Sequence, residues 1–181
     1  LETIMRQRMD ATESEIQAVK DLASELQGLG VIGDEVTLSG AQQLATFLNN
    51  KQALDSLLPA MTNLLAQQKG LNASAGDAVN IGNLMGKVMQ GQTAALTRVG
   101  ITFTEAQEEV LKYGTELERA AMLAEVITDN VGDMNSALMN TEAGKLQQVS
   151  NAYGDVKEKI GEFMAIMKGN FVDVMMDVIG W

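Results

Sequence analysis

Residues 141–174 read TEAGKLQQVSNAYGDVKEKIGEFMAIMKGNFVDV. Apolar residues recur in this stretch at alternating steps of three and four, and only Asn170 stands where another apolar residue is due. That spacing is the heptad pattern of a helix with one apolar seam. We therefore predict a single long C-terminal helix within residues 141–181. Its seam consists of Leu146, Val149, Tyr153, Val156, Ile160, Phe163, Met167 and Val174.

The beginning of the chain carries the same spacing. Over residues 1–27 the seam positions are Met5, Met9, Thr12, Ile16, Val19, Ala23 and Leu26. The pattern predicts a long N-terminal helix in residues 1–30, which ends at a Gly-Leu-Gly sequence because glycine accepts a left-handed turn without steric cost. Both ends carry a seam and the middle does not. We therefore hypothesise that the two long helices pack as an antiparallel pair, with shorter helices forming a head between their inner ends.

Residues 31–140 contain the signals of a compact array of short helices. Residues 31–38 alternate weakly in hydropathy and predict a short extended connection, whereas residues 92–99 read as helical. A kinked helix is predicted over residues 52–68, because its apolar pattern runs straight through Pro59. Ser or Thr followed three residues later by Gln or Glu predicts a capping box at a helix start. Such boxes pair Ser39 with Gln42, Thr104 with Gln107, and Thr115 with Glu118. The predicted fold class is all-α.

Composition excludes several kinds of chemistry. The 181 residues include no His and no Cys, so the chain has no disulfide, no thiol nucleophile, no imidazole base and no ordinary zinc site. The 13 basic and 24 acidic residues give a formal net charge of -11, and no basic stripe is present for nucleic-acid phosphates or anionic lipid. Charged residues interrupt residues 160–181, the stretch closest to the ~18 uncharged apolar residues that a membrane helix needs.

Motifs that resemble binding or catalytic sites have simpler structural explanations. Residues 28–33 read GLGVIG, the dinucleotide pattern G-x-G-x-x-G, but a helix precedes them and Asp34 follows where a phosphate needs positive charge. Gly82 and Gly86 form a G-x-x-x-G step that favours close packing of two soluble helices. Glu13 precedes a serine, as the acid of lytic transglycosylases does, but it lies on the polar face of a helix. We predict no catalytic, cofactor-binding or metal-binding residue and no enzyme activity.

Several stretches of the chain carry a family resemblance. They read DAVNIGNLMGKVMQG at 77–91, GQTAALTRVGI at 91–101, TEAQEEVLKYG at 104–114, ERAAMLAEVITDNVG at 118–132 and NTEAGKLQQVSNAYGDVKEKIGEFM at 140–164. In this order they resemble the tail tape measure proteins of long-tailed phages and prophages, and the stretch that precedes them is similar to the same family. The resemblance extends over residues 37–165.

The resemblance implies a structural role. Tape measure proteins are long, mostly helical chains that occupy the lumen of the growing tail tube, set its length and leave it ahead of DNA. A chain of this family is expected in the virion tail, and in the host cytoplasm during assembly. Its expected partners are further copies of itself, joined through helices, and the tail tube, tail tip and tail assembly chaperone proteins. Direct nucleic-acid binding is not expected.

Two further expectations concern the parent protein. The chain begins at Leu1 without an initiator Met and stops at Trp181 inside an apolar run, which indicates a piece of a longer polypeptide. Membrane contact is then expected only through parts of the parent chain outside this piece. The alternative function is a helical protein-interaction module of another large secreted or surface protein.

Overall fold

The described part of the protein consists of α-helices and 3-10 turns, which confirms the all-α class. A computed structural model describes the backbone of residues 1–179 and the side chains of residues 1–166. Within this range the 3-10 turns span Gly70–Asn72 and Thr93–Val99. The helices are α1 (Glu2–Met9), α2 (Glu13–Gly28), α3 (Asp34–Ala45), α4 (Lys51–Lys69), α5 (Ala75–Met89), α6 (Glu105–Tyr113), α7 (Glu116–Val131), α8 (Met134–Met139) and α9 (Glu142–Ile179).

The prediction of one continuous N-terminal helix is wrong. Asp10 adopts a left-handed conformation, with φ 50°, and separates α1 from α2. Thr12 then caps α2: its hydroxyl accepts a hydrogen bond from the Glu15 N–H, and the Glu15 carboxylate accepts one from the Thr12 N–H. This capping box starts a new helix. Met5 of α1 and Ile16 of α2 are both fully buried.

The start of α3 also differs from the prediction. The helix begins at Asp34, so residues 34–38 are not an extended connection. Ser39 lies inside α3 and does not cap a helix, because its hydroxyl donates to the Glu35 carbonyl at 2.8 Å. In contrast, α4 is one helix that contains Pro59, as the apolar pattern predicts.

Capping boxes mark the starts of three later helices. Thr104 with Gln107 opens α6, and Thr115 with Glu118 opens α7, which confirms both predicted boxes. A third box joins Ser74 to Asp77 at the start of α5. Each box satisfies two backbone N–H groups that a helix start leaves without partners. The segment at 93–99 is helical as predicted, but it winds as a 3-10 turn.

Helices α1–α8 form a single packed unit that we call the head. At its centre lies α4, which contacts α2, α3, α5, α7 and α8. Buried residues of α1 and α2 join those of the shorter helices in one hydrophobic cluster. The largest apolar side chains of α4 in this cluster are fully buried: Leu54, Leu57, Leu58, Met61, Leu64 and Leu65.

Glycines bring α3 and α5 unusually close together. A Cβ built on Gly82 would lie 2.6 Å from the backbone oxygen of Gly40. One turn later, a Cβ on Gly86 would overlap the ring of Phe47. The Gly82–Gly86 step therefore packs two helices inside the head, as predicted from its polar neighbours in the sequence.

Candidate functional site

The last helix, α9, presents two different faces. Its inner face meets the head through Gly144, Gln147, Gln148, Asn151 and Asp155, which are buried or half-buried. Every other side chain of α9 up to residue 166 is exposed. Since the inner positions recur every three or four residues, they lie on one side of the helix.

The inner face of α9 binds the head through polar side chains. Gln148 donates from Nε2 to the Gly28 carbonyl at 2.9 Å, and Asn151 donates from Nδ2 to the Val31 carbonyl at 3.2 Å. One turn further along, Gln27 donates to the Asp155 carboxylate at 2.7 Å. These bonds hold α9 against the end of α2 and the loop that follows it, with little apolar contact.

The predicted heptad seam of α9 faces away from the head. Its described members are between 52% and 72% exposed: Leu146, Val149, Tyr153, Val156, Ile160 and Phe163. Met164 extends this apolar surface, and we call this set of seven side chains the stripe. Ile166 is also exposed, but helical periodicity places it three turns after Asp155, on the side of α9 that carries the inner face. Seam residues Met167 and Val174 lie outside the described side chains.

The structure does not confirm antiparallel packing of the two end helices. Residue Tyr153 of the α9 seam is 65% exposed, whereas Ala23 of the α2 seam is fully buried inside the head. The heptad seam of α2 therefore serves the head core, and that of α9 is left without a cover in the described chain. Apolar patches larger than a few hundred Å² on soluble proteins mark interaction sites. The stripe is accordingly our first candidate functional surface.

A buried asparagine fixes the loop on which α9 rests. Asn135, in α8, accepts hydrogen bonds at Oδ1 from the N–H groups of Val31 and Ile32, at 2.8 and 3.0 Å. Its own N–H donates to Oδ1 of Asn63 in α4 at 3.0 Å. Gly30 lies against this side chain, since a Cβ there would overlap the Asn135 amide. This role of Asn135 could not be predicted from the sequence, because no local pattern distinguishes the residue from a loop asparagine.

The same loop contains the G-x-G-x-x-G match, and its geometry excludes a phosphate. The N–H groups of Val31 and Ile32, which would have to face the phosphate, are bound to Asn135. The preceding element is helix α2, and the dinucleotide motif requires a strand there. Glu13, whose sequence position resembles that of the acid of lytic transglycosylases, is exposed and forms an ion pair with Arg6.

Carboxylates cluster where α9 passes the start of α3. Asp34 and Glu35 of α3 lie beside Asp155 and Glu158 of α9. A hydrogen bond with Glu35, together with its negative charge, raises the pKa of the Glu158 carboxyl above its usual value. The pKa of Glu158 is raised when α9 lies against the head, so the protonated carboxyl stabilises this contact at pH values below its ordinary pKa of 4.5. This stabilisation is lost as the pH rises through the raised pKa. The contribution of this carboxyl pair to the contact of α9 with the head should therefore fall between acid and neutral pH.

We expect Glu158→Gln to strengthen the contact of α9 with the head at neutral pH. The amide keeps a hydrogen bond with Glu35 and removes the repulsion between the two carboxylates. Hydrogen exchange of α9 amides over residues 147–158 should slow by about two- to fivefold at pH 7. This factor corresponds to the interaction free energy of an exposed charge pair. The difference should vanish near pH 4, where wild-type Glu158 is protonated. Glu162→Gln is the comparison: Glu162 lines the same cluster, together with Lys159, but no hydrogen bond joins it to Glu35. Its replacement should have a smaller effect, and an equal effect of both changes at pH 7 would contradict the pairing.

A second apolar surface lies between α6 and α7. Ala106, Val110, Ala121 and Met122 form a shallow groove, and Tyr113 stands at its edge with 82% of its surface exposed. Three exposed carboxylates also line this groove: Glu109, Glu118 and Glu125. A backbone hydrogen bond from Thr115 lowers the pKa of Glu118, which keeps it ionised at neutral pH. We call this surface the acidic groove.

Neither a metal site nor a membrane helix is found in the described chain. Among the described residues, no cluster of three or more Asp and Glu side chains is arranged to hold a metal ion. Over the described residues, none of the helices combines the length and the apolar character needed to cross a membrane.

Comparison with known proteins gave no match to this chain, whether with family models, curated proteins or solved structures.

Proposed function

We propose that this chain is a helical structural component of a phage or prophage tail, a region of the tape measure protein that sets tail length and is ejected before DNA. The observation that carries the proposal is the stripe. It lies on a helix of 38 residues, about 57 Å long at 1.5 Å per residue. A helix of this length, whose apolar face is uncovered over the described side chains up to residue 166, is suited to association along its axis.

The construction of α9 supports an assembly role. Its inner face contacts the head through amide and carboxylate side chains, which leaves the apolar face available to another protein. The proposed partners are further copies of the chain, joined through helices, and the tail tube, tail tip and tail assembly chaperone proteins. The proposed location is the virion tail, and the host cytoplasm during assembly. Catalysis and direct nucleic-acid binding form no part of this proposal.

Tail particles provide the test of this function. After induction of the prophage, intact tails and tails that have ejected their DNA are purified and compared by quantitative mass spectrometry. Peptides from residues 1–181 should copurify with the tube protein in intact tails and should be depleted after ejection. Peptides found in the secreted or cell-surface fraction, and missing from tails, would contradict the proposal and favour the protein-interaction module of another large protein.

A further inference from the structure

We propose that two copies of this chain associate head to tail, with the stripe of one copy lying in the acidic groove of the next. The contact uses residues 156–166 of α9, which we call the outer segment. This inference deepens the proposed function, because it names the partner surface that the stripe binds.

The outer segment is accessible to another protein. All of its side chains are exposed. The stripe residues that it contains are Val156, Ile160, Phe163 and Met164. At 1.5 Å per residue the segment is about 16 Å long, and the part of α7 that lines the groove, from Glu118 to Glu125, is about 10 Å long. The groove can therefore hold about two turns of the outer segment.

The charges of the outer segment complement those of the groove. Helical periodicity places Lys157 on one border of the stripe and Lys159 on the other, while Glu158 and Glu162 lie on the opposite side of the helix. An occupant of the groove therefore presents an apolar centre with cationic borders. The acidic groove offers the matching surface, since exposed Glu109, Glu118 and Glu125 accompany its apolar residues. Complementary charges of this kind select the partner and the orientation of docking.

Two other occupants of the stripe match its charges less well. If two stripes paired with each other, lysines would border both surfaces, and neither stripe would supply carboxylates to face the lysines of the other. An anionic lipid surface would attract the lysines, but binding to such a surface requires a cluster of basic residues, and the outer segment carries only Lys157 and Lys159 beside Glu158 and Glu162. The acidic groove is the described surface that meets both the apolar and the charged requirement.

A contact between two different surfaces has a consequence for assembly. Each bound copy still has one free stripe or one free groove, so the contact repeats from copy to copy. Such heterologous contacts build open chains unless the rotation between copies closes a ring. This mode of growth distinguishes the inference from pairing of two stripes, which stops at a dimer.

Two variants of the 181-residue chain separate these outcomes. The stripe variant carries Ile160→Asp and Phe163→Asp, and the groove variant carries Glu109→Lys and Glu125→Lys. All four positions are exposed, so each variant should fold, and urea unfolding should verify this. Sedimentation velocity over a range of concentrations then measures association.

Wild type should form species larger than a dimer as its concentration rises, and each variant alone should remain monomeric. An equimolar mixture of the two variants should form a one-to-one complex, because the stripe variant keeps its groove and the groove variant keeps its stripe. The control pair Glu25→Lys and Asp129→Lys changes the charge equally at exposed positions outside the groove and should assemble like wild type.

Three results would overturn the head-to-tail contact. They are a groove variant that still dimerises, a wild type that is monomeric at every concentration, and monomers that instead float with anionic vesicles. None of these results changes where the chain is found in tail particles. The head-to-tail contact can therefore fail while the proposed tail function stands, and the reverse also holds.

Discussion

Replacing Gly82 with alanine should lower the free energy of unfolding by about 2–3 kcal/mol, the cost of forcing an extra methyl group into a packed core. The added Cβ would lie 2.6 Å from the backbone oxygen of Gly40. A backbone atom cannot rotate away as a side chain can, so α3 and α5 must separate. Leu44 of α3, whose backbone nitrogen lies 3.4 Å from the added Cβ and whose side chain is fully buried, would then lose packing. Valine at position 82 should cost more, and it should prevent folding if the head is marginally stable.

Urea unfolding followed by circular dichroism measures this effect, and α5 itself supplies the matched control. Gly76 lies in the first turn of α5, where the nearest neighbour of an added Cβ is the Ser74 hydroxyl at 3.8 Å. Gly76→Ala should therefore leave stability unchanged or raise it by up to about 1 kcal/mol, through helix propensity. If Gly82→Ala is as well tolerated as Gly76→Ala, then α3 and α5 do not approach each other in solution as described here.

Capping signals in the sequence predict some helix starts of this fold correctly, but they do not predict where tertiary packing extends a helix beyond its local signal. The boxes at Thr104 and Thr115 are correct, because each follows a helix-ending glycine or loop and precedes an apolar pattern. The box predicted at Ser39 is wrong, since packing of α3 along α5 extends the helix back to Asp34 and overrides the local signal. Tertiary contacts outweigh a cap worth about 1 kcal/mol.

The break after α1 shows the opposite error. Thr12 and Glu15 carry a capping box in the sequence, yet Thr12 also falls on the heptad spacing of the N-terminal segment. The heptad spacing therefore predicts a continuous helix across the position where the capping box at Thr12 begins a new one. Heptad spacing fixes which residues share a face, but it does not fix whether the helix continues between them.

The candidate surfaces were predictable only in part. Heptad spacing places Tyr153 and Ile160 on one face of α9, and the structure confirms that they share a face. What lies opposite that face depends on residues far away in the sequence. The contact of α9 with the head is made by Gln148 and Asn151, whose polar side chains follow no pattern that predicts burial. The acidic groove is likewise formed by two helices whose mutual orientation the sequence does not specify.

The second large effect is expected at Asn135, the side chain on which the loop beneath α9 depends. Asn135→Ala should lower the free energy of unfolding by about 3–4 kcal/mol. The reason is that Val31 and Ile32, which are 3% and 2% exposed, would each be left with a buried N–H that has no acceptor. Each such group costs about 1–3 kcal/mol, and the vacated space adds a smaller penalty. Asn140→Ala is the control, because its exposed amide only donates to the Ser136 carbonyl and should contribute less than about 0.5 kcal/mol.

A second readout separates the loop from the head as a whole. Gln148 and Asn151 donate hydrogen bonds to the carbonyls of Gly28 and Val31. If the loop moves, these inner-face contacts of α9 are weakened as well. In Asn135→Ala, hydrogen exchange of α9 amides over residues 147–155 should therefore accelerate by more than the loss of unfolding free energy accounts for. Exchange in α7 should accelerate only by the amount that this loss accounts for. Equal acceleration in both helices would show that Asn135 stabilises the head without positioning α9. Unequal acceleration would make this buried amide the residue that sets how firmly the stripe is held for its partner.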